Sequence, residues 1–392
     1  MKAFAESLPP ELAQGSAPRR IRIAYVALSA RGGTALYSTG IAKRMASIAD
    51  VLYVAPKHLP QEQWPAEADC LPVQTGRTHR EVAIRTLCIG AQLRLIQSIR
   101  NFQPDIVHFL LSHPWNPIIA LGLRSMPLIV TVHDPLPHTG AKWIRVTQAT
   151  HRMMYRLATR VVVLCNFSRE ALPAAIGKSA AVIPHPIFDH YRLGKYVAKS
   201  RPPRAVFFGR FQPYKGLDTF YGAARQLVAE GVEGEFVFAG PGELPECLQG
   251  AQPKAITVIN RFMEEREVAE LLASATMMVL PYKDATQSGV LAAAYAAHLP
   301  VIATRVGSFP EYIGDGISGL LVKPNDAEDL AAAIRTLLRD EGLQSQLSRG
   351  AAARSQTMSW DEIIRQHVQL YDDVRPGKTC WPSPQTIHGT AY

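Results

Sequence analysis

The chain is 392 residues long, 47% apolar and 19% charged, and carries a formal net charge of +9. Those values exclude a disordered chain, and the length predicts two domains. Five scattered cysteines without a CxxC pair exclude a disulfide scaffold or zinc ribbon, and no apolar run approaches the roughly 18 residues of a membrane span.

Residues 1–20 are rich in Pro, Ala and Ser and lack the apolar centre of a secretion signal. A loose tail on a cytoplasmic chain is expected. From Ile21 onward, β-branched runs alternate with helical spacings. Residues 21–27 predict a strand, Arg31-Gly32-Gly33-Thr34 a turn into a helix over 34–48, and residues 51–54 a second strand. A helix over 80–101 follows, with Ile84, Cys88, Ala91, Leu95, Ile99 and Phe102 at helical spacing. Residues 105–108, 128–132 and 160–164 are short β-branched runs of the kind buried in parallel sheets, and 181–184 ends this half. The polar, basic, proline-bearing stretch 191–203 is the expected linker. Strands are then expected at 205–208, 235–239, 256–259, 277–280 and 301–303, with helices over 217–230, 264–274, 287–297 and 326–339. A last amphipathic helix covers 360–374, before a tail, 375–392. The expected fold is α/β: two doubly wound domains, 21–190 and 204–356, facing across a cleft, followed by the helical segment 357–374.

The charge is uneven. Residues 1–195 hold 23 Lys/Arg against 11 Asp/Glu, whereas residues 196–392 hold 19 against 22. The first half is therefore expected to face something anionic: nucleic acid, lipid headgroups or a phosphate-bearing substrate. Arg77, Arg80, Arg85, Arg94 and Arg100 gather around the 80–101 segment, and Arg152, Arg156, Arg160 and Arg169 form a second group. Aromatic residues do not interleave with them as a base-stacking platform requires, which disfavours nucleic acid. A solvated helix face is the plain alternative to an anionic membrane surface.

The most informative stretch is FFGRFQPYKGLD, residues 207–218. A short apolar strand runs into Gly209 and Arg210, and five positions on Lys215 precedes a second glycine and a helical pattern. Two cations at the C-terminal mouth of a parallel strand suit a diphosphate, Arg as a planar fork and Lys as a point charge. A glycine turn at Gly240 follows the next strand. Residues 281–290 then lead from a strand end through Asp284, Thr286, Gln287 and Ser288 to Gly289 and an alanine-rich helix. Amides at that helix start favour phosphate, and a simple N-cap by Thr286 or Ser288 is the alternative.

In this order, FFGRFQPYKGLD, FAGPGE and PYKDATQSGVLAAAYAAHLPVIATRVGSFPEYIGDGISGLLVKPNDAEDLAAAI resemble the donor domain of the GT-B retaining glycosyltransferases of family 4, the glycosyltransferases group 1. In the first half, IPHP at 183–186 resembles that family's interdomain segment, and TVHDPLPH at 131–138 its HD segment. Ser359-Trp360-Asp361 resembles the start of its closing helix, which crosses back to the N-terminal domain. The resemblance implies an acceptor-binding N-terminal domain and a nucleotide-sugar donor domain. Arg210 and Lys215 would hold the donor diphosphate and stabilise the departing nucleoside diphosphate. The amides of Gln287, Ser288 and Gly289 would share the distal phosphate, Gly32 and Gly33 would approach it from the other domain, and His133 would lie near the reacting sugar. His108, His113, His138 and His185 are expected to be structural.

One departure stands out. The family's two glutamates fall at Ala285 and Ala293, with Asp284 beside the first position as a substitute. No DxD triplet and no metal-ligand spacing occurs, so no cofactor and no metal is expected. The expected activity is retaining sugar transfer to an acceptor hydroxyl, with a lipid-linked saccharide as acceptor and an anionic membrane, the inner face of the plasma membrane, as partner. A non-catalytic nucleotide-sugar-binding partner of another transferase is the second reading. A GT-B epimerase is the third, and lacks the carboxylates it would need.

Overall fold

A computed structural model describes residues 19–136, 144–191, 202–375 and Trp381. His138, most of the 191–203 linker and nearly all of both expected tails lie outside the described residues. The first sheet has seven strands: β1 (Arg22–Val26), β2 (Asp50–Pro56), β3 (Asp69–Val73), β4 (Ile106–Phe109), β5 (Leu128–Val132), β6 (Arg160–Val163) and β7 (Ala181–Val182). The second has six: β8 (Arg204–Phe208), β9 (Glu235–Ala239), β10 (Ile256–Ile259), β11 (Met277–Leu280), β12 (Val301–Thr304) and β13 (Gly319–Val322). Their orders are β3-β2-β1-β4-β5-β6-β7 and β10-β9-β8-β11-β12-β13, with neighbours parallel throughout. Helices cover both faces, because the strands are apolar on both. In β1, Ile23 and Tyr25 enter one core while Ala24 and Val26 enter the other.

In each sheet the order of strand addition reverses once, between β1 and β4 and between β8 and β11. The loops leaving such switch points leave a crevice beyond the strand ends. Gly32 and Gly33 follow β1, His133 follows β5, Gly209 to Lys215 follow β8, Gly240 follows β9, and Asp284 to Gly289 follow β11.

The helix expected over 80–101 is broken. It forms as His79–Thr86 and Ile89–Phe102, with an angle of 75° between the two segments. Cys88 leaves helical geometry at φ −83°, ψ 68°. The freed Thr86 carbonyl accepts from Gln92 Nε2 at 2.9 Å, and the Thr86 hydroxyl from Trp115 Nε1 at 3.0 Å. Ile84 and Cys88, which the helical spacing would place on a buried stripe, are exposed. Strands β3 and β13 and the helices Asn116–Gly122, Ile144–Leu157 and Glu341–Thr357 add to the elements read from the sequence. Among the described residues no single helix is long and apolar enough to cross a membrane.

The helix Trp360–Val374 packs on the first sheet's domain, although residues of the second precede it in the chain. Trp360 lies where a side chain at Gly40 would stand, 2.3 Å from its Cη2, and the Arg44 guanidinium sits 4.2 Å over its ring. Further along, the Tyr371 hydroxyl meets Tyr25 Oη at 2.9 Å and His108 Nδ1 at 2.8 Å, and His108 Nε2 meets Thr131 Oγ1 at 2.8 Å. Burial holds His108 well below its ordinary pKa, so the ring is a neutral structural bridge. The chain passes between domains at two adjacent points, joined where Ile187 N–H donates to the Met358 carbonyl at 2.9 Å.

Candidate active site

Lys215 ends a short 3-10 turn, Pro213–Lys215, that folds back over the end of β8. The turn is possible because Gly216 adopts φ +66°, and a Cβ there would fall 1.8 Å from the Pro281 carbonyl oxygen. The lysine is only 8% exposed. Its ammonium lies over Gly209, 3.1 Å from where that residue's Cβ would be, and donates to Tyr282 Oη at 3.0 Å. Tyr282 Oη in turn stands 3.4 Å from Ser288 Oγ, so a polar path leads from the lysine to the start of the helix Gly289–Ala296. Burial depresses the Lys215 pKa to about 8; the Tyr214 ring opposes that shift and Arg210 adds to it. No carboxylate pairs with this ammonium among the described residues. Arg210 is exposed beside it.

Ser288 caps the helix Gly289–Ala296, accepting from Leu291 N–H at 3.3 Å. Thr286 is buried, and its hydroxyl donates to the Asp134 carboxylate across the cleft, while its carbonyl accepts from Cys165 Sγ at 3.2 Å. Gln287 Oε1 is buried without a hydrogen-bond partner among the described residues. Gly289 faces the interdomain segment, with its Cβ position 3.4 Å from Phe188 and 4.0 Å from His185 Nε2. Gly240 lets two strand-end loops touch, its Cβ position being 2.1 Å from the Gly209 carbonyl oxygen. Asp284 is half-buried. Ala285 and Ala293 both lie in the core of the second domain.

From the first domain, the helix Gly33–Ala46 begins at Gly32 (φ +50°) with no side-chain cap, and no atom lies within 4 Å of a Cβ built at Gly32 or Gly33. Its uncapped amides therefore open onto free space. Tyr37, on the same helix, meets the His133 ring edge to face at 4.8 Å and lies 5.4 Å from His185. His133 Nε2 approaches the Leu110 carbonyl at 3.1 Å and so carries the proton, leaving Nδ1 an acceptor that is buried without a partner among the described residues. Burial lowers the His133 pKa, against the pull of Asp134 and of that carbonyl. The Tyr37 hydroxyl interacts with the Thr131 side chain. Of the other histidines, His185 bonds the Pro186 carbonyl at 2.7 Å and is pushed by burial to about 4, and His113 is likewise pushed to about 4.

Two contributors were not read from the sequence. The Glu311 carboxylate crosses the cleft to accept from Asn166 N–H at 2.8 Å and Phe167 N–H at 2.5 Å, and the Tyr312 hydroxyl donates to the Leu164 carbonyl. In the sequence, Pro310-Glu311 stands out only as part of the stretch that resembles the family's donor domain. The Glu311→Gln variant should loosen this latch by about 2 kcal/mol, since a charged acceptor to two amides is lost. Small-angle scattering should then show a larger radius of gyration at an unchanged helix content.

Family models match both halves. "Glycosyltransferase Family 4" covers residues 31–189, and "Glycosyl transferases group 1" covers residues 202–340. The chain belongs to glycosyltransferase family 4. Among curated relatives, this glycosyltransferase is 25% identical to the sulfoquinovosyl transferase SQD2 of Arabidopsis thaliana over 300 residues, 70% of this chain and 57% of that one. It is 26% identical to the phosphatidyl-myo-inositol mannosyltransferase of Mycolicibacterium smegmatis, over 66% of this chain and 68% of that one. The fold is GT-B. A sucrose-phosphate synthase from Thermosynechococcus elongatus superposes with a TM-score of 0.72 at 19% identity, over 91% of this chain and 99% of its own. Anabaena HepE, crystallised with UDP and glucose, gives 0.70 at 17% identity, over 90% of this chain and all of its own.

Proposed function

We propose that the protein transfers a sugar, with retention, from a nucleoside diphosphate sugar to a hydroxyl of a lipid-linked saccharide in cell-surface glycan assembly. Lys215 carries this reading: a buried ammonium with no carboxylate partner among the described residues, at a strand end beside a helix start, is completed by a diphosphate. Arg210 adds a second cation, so the charge that develops on the leaving diphosphate is met by fixed side chains and needs no metal. Gly32, Gly33 and the amides around Ser288 and Gly289 close on the distal phosphate from the two domains. His133 offers an unpartnered Nδ1 to a sugar hydroxyl. The departing diphosphate takes the acceptor proton. The complex of HepE with UDP and glucose supports a nucleotide sugar in such a cleft.

Ala285 and Ala293 favour a second reading, a partner protein that binds nucleotide sugar without turning it over. One experiment separates the two. Thermal stabilisation by UDP, GDP and ADP and their common sugars should name the donor class, and slow hydrolysis of the donor that binds should mark an enzyme. Binding without hydrolysis or transfer would leave the partner reading, and a folded protein that ignores the whole panel would refute both.

A further inference from the structure

Two adjoining cavities open beyond the C-terminal ends of β2 and β3, outside the residues assigned above. The first, of about 320 Å³, is lined by Lys57, His58, Thr75, Arg77, Glu81 and Arg85 among others. The second, of about 390 Å³, shares Val73, Gln74 and Arg85 with it and turns apolar along Leu71, Ala91, Leu95 and Trp115. Among the described residues none of Lys57, Arg77 and Arg85 forms a salt bridge to a carboxylate. The one acid lining the first cavity, Glu81, accepts from the Arg77 backbone N–H at 2.8 Å and lies within electrostatic reach of Arg85 without an ion-pair contact to it. His58, which lines the same cavity, lies within electrostatic reach of Arg31, the residue before Gly32.

At the outer edge stands the elbow between the helices His79–Thr86 and Ile89–Phe102. Ile84, Leu87, Ile89 and Leu93 are 55%, 82%, 47% and 57% exposed there, and Arg80, Arg85 and Arg94 flank them. Large apolar side chains ringed by arginines, on a bend that presents two helix ends, match the interface of an anionic bilayer. Polar, apolar and interfacial surfaces thus follow one another outward from the first cavity.

We infer that these cavities form the acceptor site for an amphiphile with a phosphate. Its phosphate rests on Lys57, Arg77 and Arg85, and its hydrocarbon chain runs along the second cavity to a membrane met by the Ile84–Leu93 elbow. This rests on the transferase reading above and adds the acceptor's chemical class.

The full chain is titrated with dodecyl phosphate below its micellar concentration, with inorganic phosphate and dodecyl maltoside as half-ligands. Dodecyl phosphate should bind at least about tenfold tighter than either, and the R77A/R85A variant should lose about tenfold. The L87Q/L93Q variant should pellet less than wild type with phosphatidylglycerol vesicles, while neither protein pellets with phosphatidylcholine alone. Melting shifts with the nucleotide panel, run on every variant, report fold and donor site separately. If wild type ignores every nucleotide, the transferase reading fails. If it binds nucleotide but takes inorganic phosphate as well as dodecyl phosphate, the acceptor is a small phosphorylated molecule and the inference falls. It falls equally if R77A/R85A binds like wild type, or if L87Q/L93Q pellets like wild type.

Discussion

Replacing Lys215 by methionine is expected to make the protein more stable at pH 7 and unable to hold a nucleoside diphosphate. The side chain is nearly inaccessible, and burial brings its pKa from 10.5 to about 8. In the unfolded chain the amine keeps its proton up to its ordinary pKa. Between about pH 8 and 10.5 the unfolded state therefore binds more protons than the folded one, and stability rises with pH through that window. Below pH 8 the penalty is present in full, on the order of 3 kcal/mol. Methionine removes the charge while keeping most of the volume, so Lys215→Met should gain up to roughly that amount at pH 7 and lose the alkaline rise. A diphosphate stabilises the protonated amine, so wild-type affinity for the nucleotide should fall as pH rises past 8. Denaturant unfolding of wild type and variant across pH 7–10.5, with nucleotide titrations alongside, checks both halves. A variant less stable than wild type that still binds nucleotide would overturn the assignment.

The second large effect is structural. Trp360→Ala should cost about 3–5 kcal/mol, the usual range for emptying a buried indole site. Trp360 fills the space left by Gly40 and lies under Arg44, and it is the first residue of the helix that carries Tyr371. If that helix loosens, His108 Nδ1 loses the Tyr371 hydroxyl as its hydrogen-bond partner inside the first domain's core. A domain of this size should melt about 10 °C lower. Limited proteolysis should find new cuts between Met358 and Arg375 in the variant alone. Unchanged melting and an unchanged digest would mean that the helix is held by something other than its tryptophan.

Much of the fold was legible because its signals are local. Most strands are short apolar runs bounded by glycine, proline or a polar turn, and in a parallel sheet covered on both faces such runs need no knowledge of their neighbours; the half-exposed edge strand β3, DCLPV, gives no such signal. Strand β10 and the helix Trp360–Val374 lie where their residue patterns place them. The break at Leu87–Cys88 was not legible. The spacing from Ile84 to Phe102 satisfies one helix, and only Trp115 and Gln92, brought against Thr86 by the tertiary fold, provide for the bend.

The candidate site divides along the same line. By themselves, the residues fix the two cations after β8 and the glycines at the strand ends, and they narrow the cap before Gly289 to Thr286 or Ser288. Each depends on a few consecutive residues and on where a strand stops. Tertiary structure alone decides that Lys215 is buried rather than solvated, which turns a loop cation into a group with a depressed pKa. It also decides that Thr286 spends its hydroxyl on Asp134, 152 residues away, and that Glu311 reaches across to amides 144 and 145 residues away. Burial and long-range pairing are properties of which chain segments meet, and no window of neighbouring residues contains that information.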